Sequence, residues 1–172
     1  MNHTKRGFTL IEVLVVIGIM GMLILISYPS IMNSLETRGL ENTARDIQSS
    51  MQVAKFQAVK TRINHRIRFS NTTGPWFFAI ERQAPNGTWA TMHGSIPKSI
   101  SGKFTVTLNL PAALPAGKTV TFSAMGMISD FVTTLNSIVL ESAKLKRGRQ
   151  PDQRTIIVYA GGSLRYVKST SG

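Results

Sequence analysis

The sequence predicts an α+β protein: one long N-terminal helix, membrane-spanning in its first half and amphipathic in its second, packed on an antiparallel β-sheet or small β-sandwich head. Two observations carry this. Residues 13–35 contain no charged side chain in 23 positions, and beyond Arg62 the pattern changes to short period-two runs broken by Gly, Pro and Asn. The 172 residues suit a single domain with an extension.

Residues 8–35 form the predicted span. A helix of 23 residues covers ~34 Å, enough for the ~30 Å hydrocarbon core of a bilayer. Residues 1–7 are a short basic leader whose Lys5 and Arg6 stay cytoplasmic and send the rest of the chain outward. The apolar run is longer than the ~7 to 15 residues of a secretory signal, and no small-x-small cleavage site follows it. A plain signal anchor stays open as an alternative. Glu12 argues against that alternative. A charge at the bilayer centre costs about 2.5 to 3.5 kcal/mol, and less near the edge. No cation stands three or four residues from Glu12, so its partner belongs to another molecule or is a newly made amino terminus.

Residues 36–62 continue the helix. Leu40, Ala44, Ile47, Met51, Ala54 and Ala58 recur at steps of four and three, one apolar stripe that must be buried, while Arg38, Glu41, Arg45, Asp46 and Lys55 fill other faces. The stripe reads as core rather than as a binding groove. Residues 63–172 form the head. Strands are expected at Arg66–Phe69, Phe77–Gln83, Thr88–Met92, Thr105–Leu110, Thr119–Phe122, Ser137–Leu140, Arg154–Tyr159 and Ser163–Lys168, with a tight turn at Gly161-Gly162. Ser95–Gly102 and Pro111–Gly117 are expected as loops.

Twenty Lys and Arg against eight Asp and Glu give a formal charge of +12. A basic balance of this size favours an anionic partner. The chain has no Cys, which excludes a disulfide scaffold, an iron–sulfur protein and a thiol enzyme. His3, His65 and His93 have no carboxylate or second His at ligand spacing, and the head acids Glu81, Asp130, Glu141 and Asp152 form no pair suited to acid–base chemistry. No catalytic residue, cofactor, metal or small-molecule substrate is therefore expected.

Lys5-Arg6-Gly7-Phe8-Thr9-Leu10-Ile11-Glu12 resembles the class III leader of type IV pilins and pseudopilins. The resemblance implies cleavage after Gly7 by a prepilin peptidase, N-methylation of Phe8, and an assembly role for Glu12, whose carboxylate meets the new amino terminus of a filament subunit. Pro29 falls where many members carry a proline. The head resembles the GspH/FimT branch of minor pilins and pseudopilins, through Met51–Arg62 (MQVAKFQAVKTR) and Val120-Thr121-Phe122 followed by Gly126. Major pilins often close a C-terminal loop with a disulfide, so the lack of Cys points to a minor member. The resemblance implies a single-pass protein of the bacterial inner membrane with a periplasmic head. Its implied partners are other pilin or pseudopilin subunits.

One charge cluster stands out. From Lys144 to Arg154 lie Lys144, Lys146, Arg147, Arg149 and Arg154 against Asp152, a net +4 in eleven residues. Gly148 and Pro151 suggest a loop whose side chains can spread over a phosphate backbone, and Arg165 and Lys168 extend the patch. Tyr159 and Tyr166 either stack on bases or are buried by alternation. FimT-like minor pilins are associated with DNA binding in natural transformation through a Gly-Arg-x-Arg element. Here Gly148-Arg149 is present, but Pro151 replaces the second arginine. A second group, Lys60, Arg62, His65, Arg66 and Arg68, suits lipid headgroups or a neighbouring subunit. Two functions remain: a minor type IV pilin binding double-stranded DNA without sequence preference through Lys144, Lys146, Arg147, Arg149, Arg154 and Arg165, or a structural minor pseudopilin of a type II secretion system.

Overall fold

The computed structural model describes residues 9–72, 74–112 and 117–171. Helix α1 runs from Leu10 to Thr61, 52 residues without a break through Pro29. At 1.5 Å per residue it is ~78 Å long. It begins at Thr9, whose Oγ1 accepts from the Glu12 N–H at 3.3 Å. It ends at Arg62, which turns the chain with φ of 56°. Large apolar side chains from Leu10 to Ile31 lie exposed, as a membrane-seeking surface would. The second half buries the predicted stripe: Leu40, Ala44, Ile47, Met51, Ala54 and Ala58 are all fully inaccessible.

The head has nine strands among the described residues and one short helix, in the order β1 His65–Ser70, β2 Phe77–Gln83, β3 Trp89–Thr91, β4 Lys98–Ser99, β5 Phe104–Asn109, β6 Lys118–Phe122, β7 Ser137–Ser142, α2 Ala143–Arg147, β8 Gln153–Val158 and β9 Leu164–Ser169. One sheet runs β3-β2-β1-β6, with β4 also beside β2; the other runs β5-β7-β8-β9. All named pairings are antiparallel. Alternation sets the faces. Ile67, Phe69, Phe78, Ile80, Val120 and Phe122 from the first sheet join Phe104, Ile138, Leu140, Ile156 and Val158 from the second, in one core against the α1 stripe.

One glycine of the head permits a close approach. Gly162 has φ of +71°, and a Cβ there would fall 2.1 Å from the Gly126 carbonyl oxygen. The Lys55 ammonium donates to the Gly162 carbonyl at 3.0 Å, which pins the β8–β9 hairpin to α1.

Two expectations need correction. Lys98–Ser99 forms β4 inside the span expected as a loop. Ala143–Arg147, expected as part of a loop, is helical. Gly148 and Pro151 do break the chain, but only after that turn is complete.

Candidate functional site

The basic segment is built on one buried anchor. Leu145 of α2 is fully buried, which turns Lys144, Lys146 and Arg147 outward. Ser142 caps α2: its Oγ accepts from the Leu145 N–H at 3.4 Å and donates to Glu36 of α1 at 3.0 Å. The turn then closes on itself. Gly148 N–H donates to the Lys144 carbonyl at 3.2 Å, Arg149 adopts φ of 52°, and Gln150 N–H donates to the Leu145 carbonyl at 3.1 Å. A methyl added to Gly148 would stand 3.9 Å from the Asn33 side-chain amide. The basic turn is thus held beside α1 at the level of Asn33 to Arg38, where the apolar half of the helix gives way to the head.

Lys144, Lys146, Arg147 and Arg149 are exposed and share this turn. Lys146 also reaches Glu141 at 3.7 Å. Arg154 does not belong with them. Its side chain is inaccessible, donating to the Pro151 and Gln153 carbonyls at 3.0 and 2.8 Å and to Glu41 of α1 at 3.3 Å. The physical reason is period two: Arg154 shares a strand face with Ile156 and Val158, both core residues. Arg165 is exposed but apart from the turn. It pairs with Ile157, four residues or ~13 Å along β9 from Ser169, the partner of Gln153. Lys168 points to the opposite face of β9 and meets Glu41 at 3.3 Å. Tyr166 is half-buried against the core, and Tyr159 stays partly open at the hairpin. Gly7 and Phe8 lie outside the described residues.

The second basic group is largely turned on its own chain. Arg66 and Arg68 each place Nε 2.7 Å from the Glu81 carboxylate, and Arg66 stacks 4.3 Å over Trp89. His65 is buried with Nδ1 2.8 Å from the Ile63 carbonyl oxygen. Lys60 lies over Phe56.

The acids follow one rule. Each one after Glu12 bonds within the chain: Glu36 to Ser142, Glu41 to Arg154 and Lys168, Asp46 to Lys98, Glu81 to two arginines, Asp130 to Thr121, Glu141 to Gln153 and Lys146, and Asp152 to Ser171. Among the described residues twelve cations form no ion pair, Arg38, Lys144, Arg147, Arg149 and Arg165 among them, so the outward field is positive.

Residues 2–28 match the family described as the prokaryotic N-terminal methylation motif. Solved structures share the fold, three of them as follows. Two are of the minor pseudopilin EpsH from the type II secretion system of Vibrio cholerae. One has TM-score 0.56 and 11% identity, covering 78% of this chain and 97% of that one. The other has TM-score 0.55 and 11% identity, covering 74% and 95%. The third is the type IV minor pilin FimU of Pseudomonas aeruginosa PAO1, with TM-score 0.51 and 15% identity, covering 77% and 90%. The chain joins an N-terminal methylation motif to a pilin-like fold. No curated protein sequence matches it significantly.

Two carboxylates hold parts of the pilin-like head together, and acid should weaken the head through them. Burial alone would raise Glu41, but Lys168 and Arg154 outweigh that and hold it below its ordinary 4.5. Burial would likewise raise Asp152, yet donation from the Ser171 hydroxyl and N–H, with the Lys146 charge, holds it below 3.8. A carboxyl lowered by folding adds stability that is complete above its unfolded value and is lost as pH falls through the folded one. The thermal midpoint should therefore be flat from neutral pH to about 5 and fall below about 4.5. Glu41→Gln should remove part of that acid loss. An identical acid profile in the variant would show that this carboxylate is not a source.

Proposed function

We propose that the pilin-like chain is a minor subunit of a type IV pilus filament and a structural protein rather than an enzyme. In this reading a prepilin peptidase cleaves after Gly7, Phe8 becomes the methylated first residue, and α1 holds the subunit in the bacterial inner membrane with its head in the periplasm until neighbouring pilins take it up. Its head binds double-stranded DNA without sequence preference, as DNA uptake in natural transformation requires. The observation that carries the DNA reading is the exposed turn of Lys144, Lys146, Arg147 and Arg149, set in a head whose acids are already engaged internally. Arg165, exposed on β9, lies outside the turn itself.

Four phosphate contacts would make log K fall against log salt with a slope of about −3.6. Changing Lys146, Arg147 and Arg149 together to Gln should bring that slope to about −1 and abolish retardation of unrelated duplexes at moderate salt. The side chains are exposed and lose only the half-exposed Lys146–Glu141 pair, so the head should stay folded with at most a small shift of the thermal midpoint. Unchanged DNA affinity in the triple variant would reject this turn as the site. A second reading, a structural minor pseudopilin of a type II secretion system, is favoured by the likeness of fold to EpsH. It expects weak DNA binding by the wild type at physiological salt, and co-purification with secretion pseudopilins.

A further inference from the structure

Measured from Leu10, about 20 helical residues use up the ~30 Å hydrocarbon core, which brings Ser30 to its far boundary. Tyr28 falls at that boundary, the depth that amphipathic aromatic rings favour. The next two turns of α1 rise ~12 Å, through the headgroup layer. At this depth the surface of α1 changes character. A shallow groove of about 270 Å³ is lined by Ser30, Asn33, Ser34, Thr37 and Arg38 of α1 and by Gln150 after α2. The lining is hydroxyls, amides and one guanidinium, all suited to phosphate oxygens. Beside it stands the basic turn, held there by the Ser142–Glu36 hydrogen bond and by Leu145 of the same turn, buried in the core. The one carboxylate of this stretch, Glu36, is the acceptor of that bond.

We propose that this groove, with Arg38, Lys144, Arg147 and Arg149 around it, seats an anionic phospholipid headgroup on the outer face of the inner membrane and so sets the head upright on its anchor before assembly. The proposal rests on the reading of α1 as a membrane span. It assigns the basic turn a membrane-resident use. DNA can reach the same side chains only after the subunit has left the bilayer for a filament. The depth of the groove favours lipid over DNA in the resident state, because a duplex approaching from the periplasm meets the far end of the head first.

The test uses the full chain in nanodiscs of phosphatidylcholine alone, or with one-third phosphatidylglycerol, and reads amide exchange over residues 143–150. Each Arg or Lys near an anionic surface adds about a fivefold preference, so exchange should slow by at least roughly tenfold in the anionic discs. The triple change Arg38→Gln, Arg147→Gln and Arg149→Gln should abolish that slowing, and Arg165→Gln, on the outer face of β9, should leave it intact. Equal exchange in the two disc types overturns the proposal. So does slowing caused by inorganic phosphate or duplex DNA in neutral discs with no response to phosphatidylglycerol. Release of the chain from lipid by alkaline washing would refute the membrane-anchor reading itself, and the headgroup site with it.

Discussion

Glu81→Ala should destabilise the head by about 3 to 5 kcal/mol, the range for removing one partner from a buried ion network. The Glu81 carboxylate lies on β2, directly opposite Arg66 of β1, and accepts from Arg66 and Arg68 at 2.7 Å each. The Glu81 and Arg66 side chains are each only 6% exposed, so water reaches that pair poorly, while Arg68 at 23% is more open to it. Arg66 also stacks on Trp89, which limits its escape to solvent. Alanine removes one charge and leaves two guanidinium groups close together on the same sheet face. Contrast the pair between Lys98 and Asp46, whose side chains are about half exposed. Asp46→Ala should cost less than about 1 kcal/mol, because water screens that pair and replaces it. Urea unfolding of the full chain in detergent, followed by tryptophan fluorescence, measures both, and Trp89 reports directly on the network. A Glu81→Ala loss no larger than that of Asp46→Ala would mean the network contributes nothing beyond a surface pair.

Much of this fold was legible because periodicity is a direct image of burial. The α1 stripe from Leu40 to Ala58 needed only steps of three and four, and eight of the strands followed from alternation or β-rich runs. The two-residue β4 was not legible, since Lys98–Ser99 is too short to alternate. Helix α2 was hidden because Gly148 and Pro151 are breakers, and breakers mark where a helix ends rather than whether one precedes them. Ser142 at its start was the available signal, an N-cap residue just before a run of good helix formers. The burial of Arg154 could also have been read, because period two aligns it with Ile156 and Val158. Charge density alone hid this by treating every basic residue near the turn as surface. The meeting of α2 with α1 had no signature in the sequence. It depends on contacts such as Ser142 with Glu36, separated by 106 positions, and it placed Arg38 and Gln150 beside the basic turn.

Glu12→Leu should reduce incorporation of the subunit into sheared filaments by two to three orders of magnitude, while the precursor still reaches the membrane. The structure supplies a competing role for this acid. Thr9 caps α1 and Glu12 follows three residues later, the spacing of a capping box. Magnitudes separate the two roles. Loss of a cap costs about 0.5 to 2 kcal/mol, spread over a helix that hydrophobic burial holds anyway. A carboxylate–ammonium contact at 4 Å is worth about 4 kcal/mol at an effective dielectric of 20, roughly a thousandfold in an assembly equilibrium. Leu also removes the cost of carrying a charge into the bilayer, so insertion should improve as assembly fails. The decisive variant is Glu12→Gln, which keeps the length and the oxygen acceptor of the cap but carries no charge. If the carboxylate serves assembly by meeting the amino terminus of a neighbouring subunit, Gln must fail almost as badly as Leu. If it only starts the helix, Gln will assemble like wild type and the charge-pairing account of this residue is wrong.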